Sequence, residues 1–237
     1  MQQQTGHTLK AFDEDIDRLR GLISEMGQLA HQAIREAMRC LIERDTEGAH
    51  RVVERDKEID RLEIETEKRV VQLIALRAPM AGDLRDAVAA LKISGVVERI
   101  GDYAKNIAKR VSSVEDSKIR PLSLLPEMAR IAGEMVQQVL DAFAARDAEK
   151  AAAVCERDQA VDDFYNSIFR ALLTHMMENP HNITPATHLL FVAKNLERIG
   201  DHATNVAEMV YFAATGEHLA DRQKGADVTD IGPDDLG

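Results

Sequence analysis

Two identical five-residue stretches contain the side chains most suited to chemistry in this chain. Glu-Arg-Ile-Gly-Asp occupies residues 98–102 and recurs at residues 197–201, an offset of 99 residues. An Ala-x-Asn-x-Ala series follows both copies, at residues 104–108 and 203–207. Repetition at this distance is typical of a duplicated structural unit. Each unit carries two carboxylates four residues apart, and that spacing needs a chemical explanation.

A helical wheel places these carboxylates away from the apolar side of their helix. At 100° per residue, the apolar side chains between Ile93 and Val111 cluster on one side, whereas Glu98 and Asp102 lie nearly opposite. A solvated helix face is the ordinary explanation for such acids. Like charges at this spacing, however, cost a few tenths of a kcal/mol, and both halves have the pair. The repetition therefore favours a binding role.

The preceding helix of each half carries a further pair of carboxylates four residues apart. Counting about 20 residues back and about 22 forward from the helix connection near residue 80 brings Asp60 level with Asp102. Asp162 and Asp201 become level in the same way. Antiparallel packing then gathers four carboxylates in each half. The acidic residues concerned are Asp56, Asp60, Glu98 and Asp102 in the first half, and Asp158, Asp162, Glu197 and Asp201 in the second.

Clustered carboxylates of this kind predict a metal site in each half. Oxygen ligands suit hard or borderline cations, so Mg²⁺, Mn²⁺ and iron are the expected ions. The amides of Asn106 and Asn205, one turn further along, could orient a ligand or bind the ion directly. We therefore include both amides with the eight carboxylates as predicted metal ligands.

Other catalytic or cofactor motifs are weak or lacking in the sequence. Glu47 and His50 have the Glu-x-x-His spacing of di-iron bundles, but the second half has no histidine at the corresponding position. The sequence contains no Gly-rich phosphate loop, no Gly-x-Ser-x-Gly elbow and no Cys-x-x-Cys pair. We predict no catalytic residue.

Composition and charge restrict the class of protein. A formal net charge of −11 argues against a nucleic-acid-binding protein, which needs a basic surface. Two cysteines are too few for a disulfide framework and favour a reducing cytoplasm. No apolar run approaches the ~18 residues of a membrane span. We expect a soluble cytoplasmic protein that could still dock on a membrane protein.

The remaining pattern predicts an all-α fold of two tandem three-helix bundles. Glycine and proline are sparse, apolar residues recur at helical spacing, and five of the six prolines fall at predicted helix junctions or first turns. In the first half, helices are expected at about 9–44, at about 46–77, and from beyond Pro79 to about 114. In the second half they are expected at about 124–145, 148–178 and 184–215. Asp45 and Asp147 are the expected N-caps of the second and fifth helices. The predicted domains are residues 9–115 and 122–215, followed by a flexible tail at 216–237.

The doubled Glu-Arg-Ile-Gly-Asp-x-Ala-x-Asn motif in a six-helix chain resembles the PhoU family of phosphate-signalling accessory proteins. The likeness covers about residues 9–215. It implies metal clusters on the bundle surfaces, held by the two sets of carboxylates given above. It also implies a regulatory adaptor that couples a phosphate ABC transporter, through its ATPase subunit, to a sensor histidine kinase. Such an adaptor represses the phosphate-starvation response when phosphate is plentiful, and homodimers are common in the family.

Two alternatives remain open from the residues. A metal-dependent hydrolase acting on phosphate compounds could use a two-metal clamp, although no general acid or nucleophile lies near the carboxylates in sequence. A purely structural helical protein with charged faces would bind no metal. Neutralising Asp102 and Asp201 together distinguishes these alternatives, because the structural protein predicts unchanged metal content.

Overall fold

A computed structural model describes residues 2–114 and 123–219, with side chains from Phe12 onward. All regular structure in these ranges is helical, as predicted. Gly216 in the left-handed region ends the last helix (φ 81°). The helices are α1 (Gln2–Glu43), α2 (Thr46–Arg77), α3 (Gly82–Ala108), α4 (Val111–Val114), α5 (Leu124–Ala145), α6 (Ala148–Glu156), α7 (Asp158–Glu178) and α8 (Ile183–Thr215).

The predicted helices are present, with two interruptions that the sequence did not indicate. The third predicted helix ends at Ala108, and a turn at Lys109 and Arg110 separates it from α4. The fifth is broken at Arg157, where α6 gives way to α7. Residues 116–121, between the two predicted domains, fall in the range 115–122, and most of the predicted tail falls in the range 220–237. Both ranges lie outside the described residues, so the domain boundaries stay predictions.

Matching Arg-Asp dipeptides end one helix and begin the next in each half. Arg44 and Arg146 both adopt the left-handed region, with φ of 58° and 53°, which stops α1 and α5. Asp45 then caps α2 by accepting a hydrogen bond from the Gly48 amide at 2.7 Å. Asp147 caps α6 in the same way, accepting from the Lys150 amide at 2.9 Å. A capping aspartate contributes about 1 kcal/mol, so both corners are fixed locally.

The two bundles share one core. Helices α1 and α3 of the first half pack against α5 and α8 of the second, while α2 and the α6–α7 pair cover the outer sides. The predicted apolar stripes supply this core, and side chains such as Ile23, Ile93, Ile100, Leu196 and Ile199 are fully buried. The packing holds α3 beside α8, so both copies of the repeated motif lie on neighbouring helices.

A buried carboxylate also joins the two halves. Asp86 of α3 is only 8 % exposed. It lies 3.0 Å from the Arg146 guanidinium at the end of α5 and 3.7 Å from that of Arg20 in α1. A buried charge is tolerated when it is paired, and these two arginines meet that requirement across the boundary between the halves.

Candidate functional site

The glycine of each repeated motif lies where side chains of the outer helix come close to the backbone of α3 or α8. A Cβ atom added at Gly101 would lie 2.7 Å from Cδ1 of Ile59 and 3.3 Å from Oδ1 of Asp56. One added at Gly200 would lie 3.1 Å from Oδ1 of Asp158. Glycine therefore lets an aspartate of α2 or α7 lie against the backbone of α3 or α8. Both aspartates are buried as a result, at 6 % exposure each.

The four predicted carboxylates of the first half lie close enough to affect one another. Burial raises the pKa of Glu98 to about 7, and the nearby charges of Asp102, Asp60 and Asp56 contribute to that rise, together with Glu63. Such repulsion between acids is what a bound cation relieves. We call Asp56, Asp60, Glu63, Glu98 and Asp102 the first acidic cluster.

Lys105 supplies an internal positive charge to this cluster. Its ammonium group donates to Oδ2 of Asp56 on α2 and to Oδ1 of Asp102 on α3. Burial acts to lower the pKa of Lys105, but the hydrogen bonds to the two carboxylates outweigh it and raise that pKa above its ordinary value. The lysine therefore stays charged and joins the two helices at the place where a metal ion was predicted.

The second half is built differently at the corresponding positions. Thr204 stands where the first half has Lys105, and its buried hydroxyl donates to the Asp201 carbonyl at 2.7 Å. A lysine approaches from the opposite direction along α8: Lys194 donates to Glu197 at 2.8 Å, and its ammonium lies 5.0 Å from the ring centroid of Tyr165. Each half thus carries a lysine beside its carboxylates, but Lys105 follows the acidic motif in sequence, whereas Lys194 precedes it.

The other predicted ligands lie on the same helices with more exposure to solvent. Asp60 and Asp162 are half-buried, one turn after the buried aspartates of α2 and α7. Asn106 is half-buried, and Asn205 is exposed. For these residues the metal role stays a prediction.

Glu63 is a member of the first cluster that the sequence argument missed. It follows Asp60 by three residues, so helical spacing alone places it on the same face. Burial raises the pKa of Glu63, and the charges of Glu67 and Asp60 raise it further. The second half offered no matching signal, because the corresponding position is Tyr165.

The donor chemistry of the first cluster fits a hard cation, since carboxylate oxygens are the ligands that Mg²⁺ and Mn²⁺ take. Within residues 2–114 and 123–219, however, no three carboxylate, imidazole or thiol groups are already arranged as metal ligands. In the first cluster the Lys105 ammonium already contacts Asp56 and Asp102, so it would compete with a cation held by these carboxylates. Apart from the metal question, none of the described helices combines the length and the hydropathy of a membrane-spanning segment.

Fold and motif together define a class: tandem three-helix bundles with one acidic motif on the third long helix of each bundle. The sequence profile of the PhoU domain matches residues 23–111 and again residues 125–210. The chain belongs to the PhoU family.

The chain is similar to named relatives over most of its length and to a solved structure. The chain is 55 % identical over 226 residues to the "Phosphate-specific transport system accessory protein PhoU homolog" of Zymomonas mobilis, covering 95 % of both chains. The homologue of the same name from Caulobacter vibrioides is 46 % identical over 228 residues, covering 94 % of this chain and 98 % of that one. The crystal structure of PhoU from Pseudomonas aeruginosa superposes with a TM-score of 0.83 at 34 % identity, covering 87 % of this chain and 100 % of the other.

Proposed function

We propose that this chain is a cytoplasmic regulatory adaptor of phosphate homeostasis and has no catalytic activity of its own. The observation that carries the proposal is the likeness to the Zymomonas mobilis protein, 55 % identical over 95 % of both chains and named as an accessory protein of the phosphate-specific transport system. A match of that extent includes both copies of the motif. The adaptor acts as a homodimer and contacts the ATPase subunit of a phosphate ABC transporter.

In this proposal the second partner is a sensor histidine kinase. The adaptor holds the kinase response off while the transporter reports sufficient phosphate, so starvation genes stay silent. The single core joining α1, α3, α5 and α8 supports such a role, because it makes both halves one body that can present two faces to two partners. Contacts made through long helix faces are a common mode of protein recognition.

The repeated acidic motifs and the aspartates of the preceding helices are the proposed metal sites. Asp56, Asp60, Glu98 and Asp102 would hold a divalent or iron ion in the first half, with Asp158, Asp162, Glu197 and Asp201 doing so in the second. A bound ion would supply positive charge between the helices carrying these carboxylates. The repulsion that contributes to raising the pKa of Glu98 to about 7 supports this assignment.

A starvation-gene reporter tests the regulatory role. We expect deletion of the gene to switch the reporter on in phosphate-rich medium, and the intact chain supplied in trans to switch it off. Removing the histidine kinase from the deletion strain should silence the reporter again. A reporter that stays off in the deletion strain would contradict the proposal. Phosphate-ester hydrolysis by the purified chain that requires both metal and Asp102 would favour the hydrolase alternative.

A further inference from the structure

The arginine of the repeated motif is not used by the acidic clusters. Arg99 and Arg198 are both exposed, on the sides of α3 and α8 that lie next to each other. Between them runs a line of aromatic and basic side chains, which we call the basic seam. Its members are Arg99, Tyr103, Arg110, Phe191, Arg198 and His202.

Contacts between α3 and α8 make the seam a continuous surface. The rings of Tyr103 and His202 meet edge to face, with centroids 5.1 Å apart. The Arg198 guanidinium carbon lies 5.8 Å from the centroid of the Tyr103 ring. At the far end, the guanidinium carbon of Arg110 lies 4.8 Å from the centroid of Phe191, a ring that remains 47 % exposed. These contacts position the guanidinium groups without neutralising them.

The arginines of the seam have no carboxylate within ion-pair distance in the described ranges of the chain. Arg99, Arg110 and Arg198 all share this property, although Arg99 is near enough to Glu63 to act against the rise in the pKa of that carboxyl. Arginines on other faces are paired, as Arg39 is with Asp45 at 3.0 Å and Arg157 with Glu134 at 2.7 Å. Positive charge without an ion-pair partner, on one face of a chain of net charge −11, is complementary to an anionic partner.

The two sides of the seam limit the shape of that partner. On a helical wheel, Asp102 lies about 60° from Arg99 and Asp201 about 60° from Arg198, each on the side that faces the outer helix. A broad anionic surface such as a membrane or a nucleic-acid duplex would therefore meet two rows of carboxylates. A narrow acidic element avoids both rows.

We infer that the basic seam is the docking site for a single acidic helix of a partner protein. Phe191 and His202 both lie in α8 and are eleven residues apart, so the seam is about 16 Å long at 1.5 Å per residue. Three turns of a helix with glutamates or aspartates at i, i+4, i+7 and i+11 match that length. Arginine and aromatic residues are enriched in the energetically dominant part of protein interfaces, and the seam consists of these types.

This inference rests on the proposed adaptor function and names one surface for it. Its test uses a fluorescein-labelled, alanine-based peptide of about 18 residues with glutamates at i, i+4, i+7 and i+11. Binding to the full chain is measured by fluorescence anisotropy at low salt. The glutamine version of the peptide is the negative control. The seam variant carries Arg99→Gln, Arg110→Gln and Arg198→Gln.

The matched control variant loses the same charge on other faces of the molecule. It carries glutamine at three exposed arginines that lie in surface ion pairs: Arg18, Arg51 and Arg61. We expect the seam variant to bind the acidic peptide at least about tenfold more weakly than the wild type, equivalent to about 1.4 kcal/mol. We expect the control variant to bind within about twofold of the wild type, because its charges lie away from the seam. Circular dichroism verifies that both variants are folded.

Several outcomes overturn the inference. They are no binding of the peptide to the wild type, equal losses in the two variants, or unchanged binding by the seam variant. If the wild type is a dimer and the seam variant is a monomer, the seam is a contact between two copies of this chain, and the inference is also overturned. Pull-down of the phosphate transporter separates this test from the proposed function. If the transporter binds the wild type while the acidic peptide does not, the seam assignment fails and the adaptor function stands.

Discussion

Replacing Lys105 by threonine, the residue found at the corresponding position of the second half, should expose the competition between the internal lysine and a metal ion. The lysine joins a buried carboxylate, Asp56, to a more exposed one, Asp102, whose side chain is 41 % accessible. Without the ammonium group, both carboxylates lose their counter-ion. In metal-free solution the variant should therefore unfold more easily than the wild type.

The magnitude follows from the burial of the two ion pairs. Removing one partner of a fully buried pair costs about 3–5 kcal/mol, whereas an exposed pair contributes about 0.2–1 kcal/mol. Asp56 is 6 % exposed and Lys105 22 %, so their pair lies between these limits. We expect a loss of about 2–3 kcal/mol in the free energy of unfolding. An ion that binds the wild-type cluster must compete with the Lys105 ion pairs and so loses this stabilisation of about 2 kcal/mol. The first cluster of the variant should therefore bind Mn²⁺ about 30-fold more tightly than that of the wild type.

Urea denaturation and calorimetric titration with Mn²⁺ measure the two effects on chelator-treated protein. Lys109→Thr is the matched control, because it removes the same charge from an exposed position in the turn that follows α3. We expect the control to behave as the wild type in both assays. A Lys105→Thr variant as stable as the wild type, or one that binds Mn²⁺ with unchanged affinity, would refute the competition.

Three further substitutions test other parts of the structure. Glu98→Gln should make the metal-free chain more stable by on the order of 2 kcal/mol at pH 8. The pKa of Glu98 is about 7 in the folded chain and 4.5 ordinarily, so the wild type loses stability as the pH rises from 4.5 through 7. Urea denaturation across that range should show that the free energy of unfolding depends less on pH in the variant. Asp86→Asn should lower the free energy of unfolding by about 2 kcal/mol, since Arg146 loses its ion-pair partner and Arg20 keeps only Asp17. Gly101→Ala should destabilise the chain by about 1 kcal/mol, because the new methyl group meets Ile59 and that clash outweighs the gain in helix propensity.

Each of these substitutions has a matched control or a contradicting result. Asp141 is 58 % exposed and pairs with Lys150 at 3.2 Å, so Asp141→Asn should change stability by less than about 0.5 kcal/mol. Gly21 is an exposed helical glycine with open space where a methyl group would be added, and Gly21→Ala should stabilise by about 1 kcal/mol. Equal effects of the two aspartate variants, or of the two glycine variants, would contradict the packing described. A Glu98→Gln variant whose free energy of unfolding depends on pH as steeply as that of the wild type would contradict the account of Glu98.

Helical periodicity and capping residues were sufficient to predict the all-α class and the six main helical segments. Asp45 and Asp147 were identifiable as caps because each precedes an apolar helical pattern, and both accept the expected backbone hydrogen bond. The break at Arg157 was not predictable, because no proline or glycine marks it and the apolar spacing continues through it. The packing of the two halves into one core was equally hidden. It depends on long-range contacts such as Asp86 with Arg146, for which local pattern carries no information.

The candidate site was predictable as a set of helix faces but not in its charge balance. Counting residues from the helix connection brought Asp60 level with Asp102, and the mutual effect of these acids on Glu98 agrees with that. Which lysine enters the cluster depends on side-chain conformation. Lys105 and Lys109 are one turn apart and indistinguishable in sequence, yet only the former bridges α2 and α3 in the described structure.

Metal content per chain tests the central claim most directly: that the repeated carboxylate pairs bind metal ions. Protein purified without a metal-affinity column would be analysed for Mn, Fe and Mg, alongside the Asp102→Asn/Asp201→Asn variant. Both exchanges are isosteric and lie on half-buried positions, so circular dichroism should show an intact fold. We predict bound metal in the wild type and its loss in the variant. Equal metal content in the two proteins, or none in the wild type after incubation with all three metals, would contradict the claim.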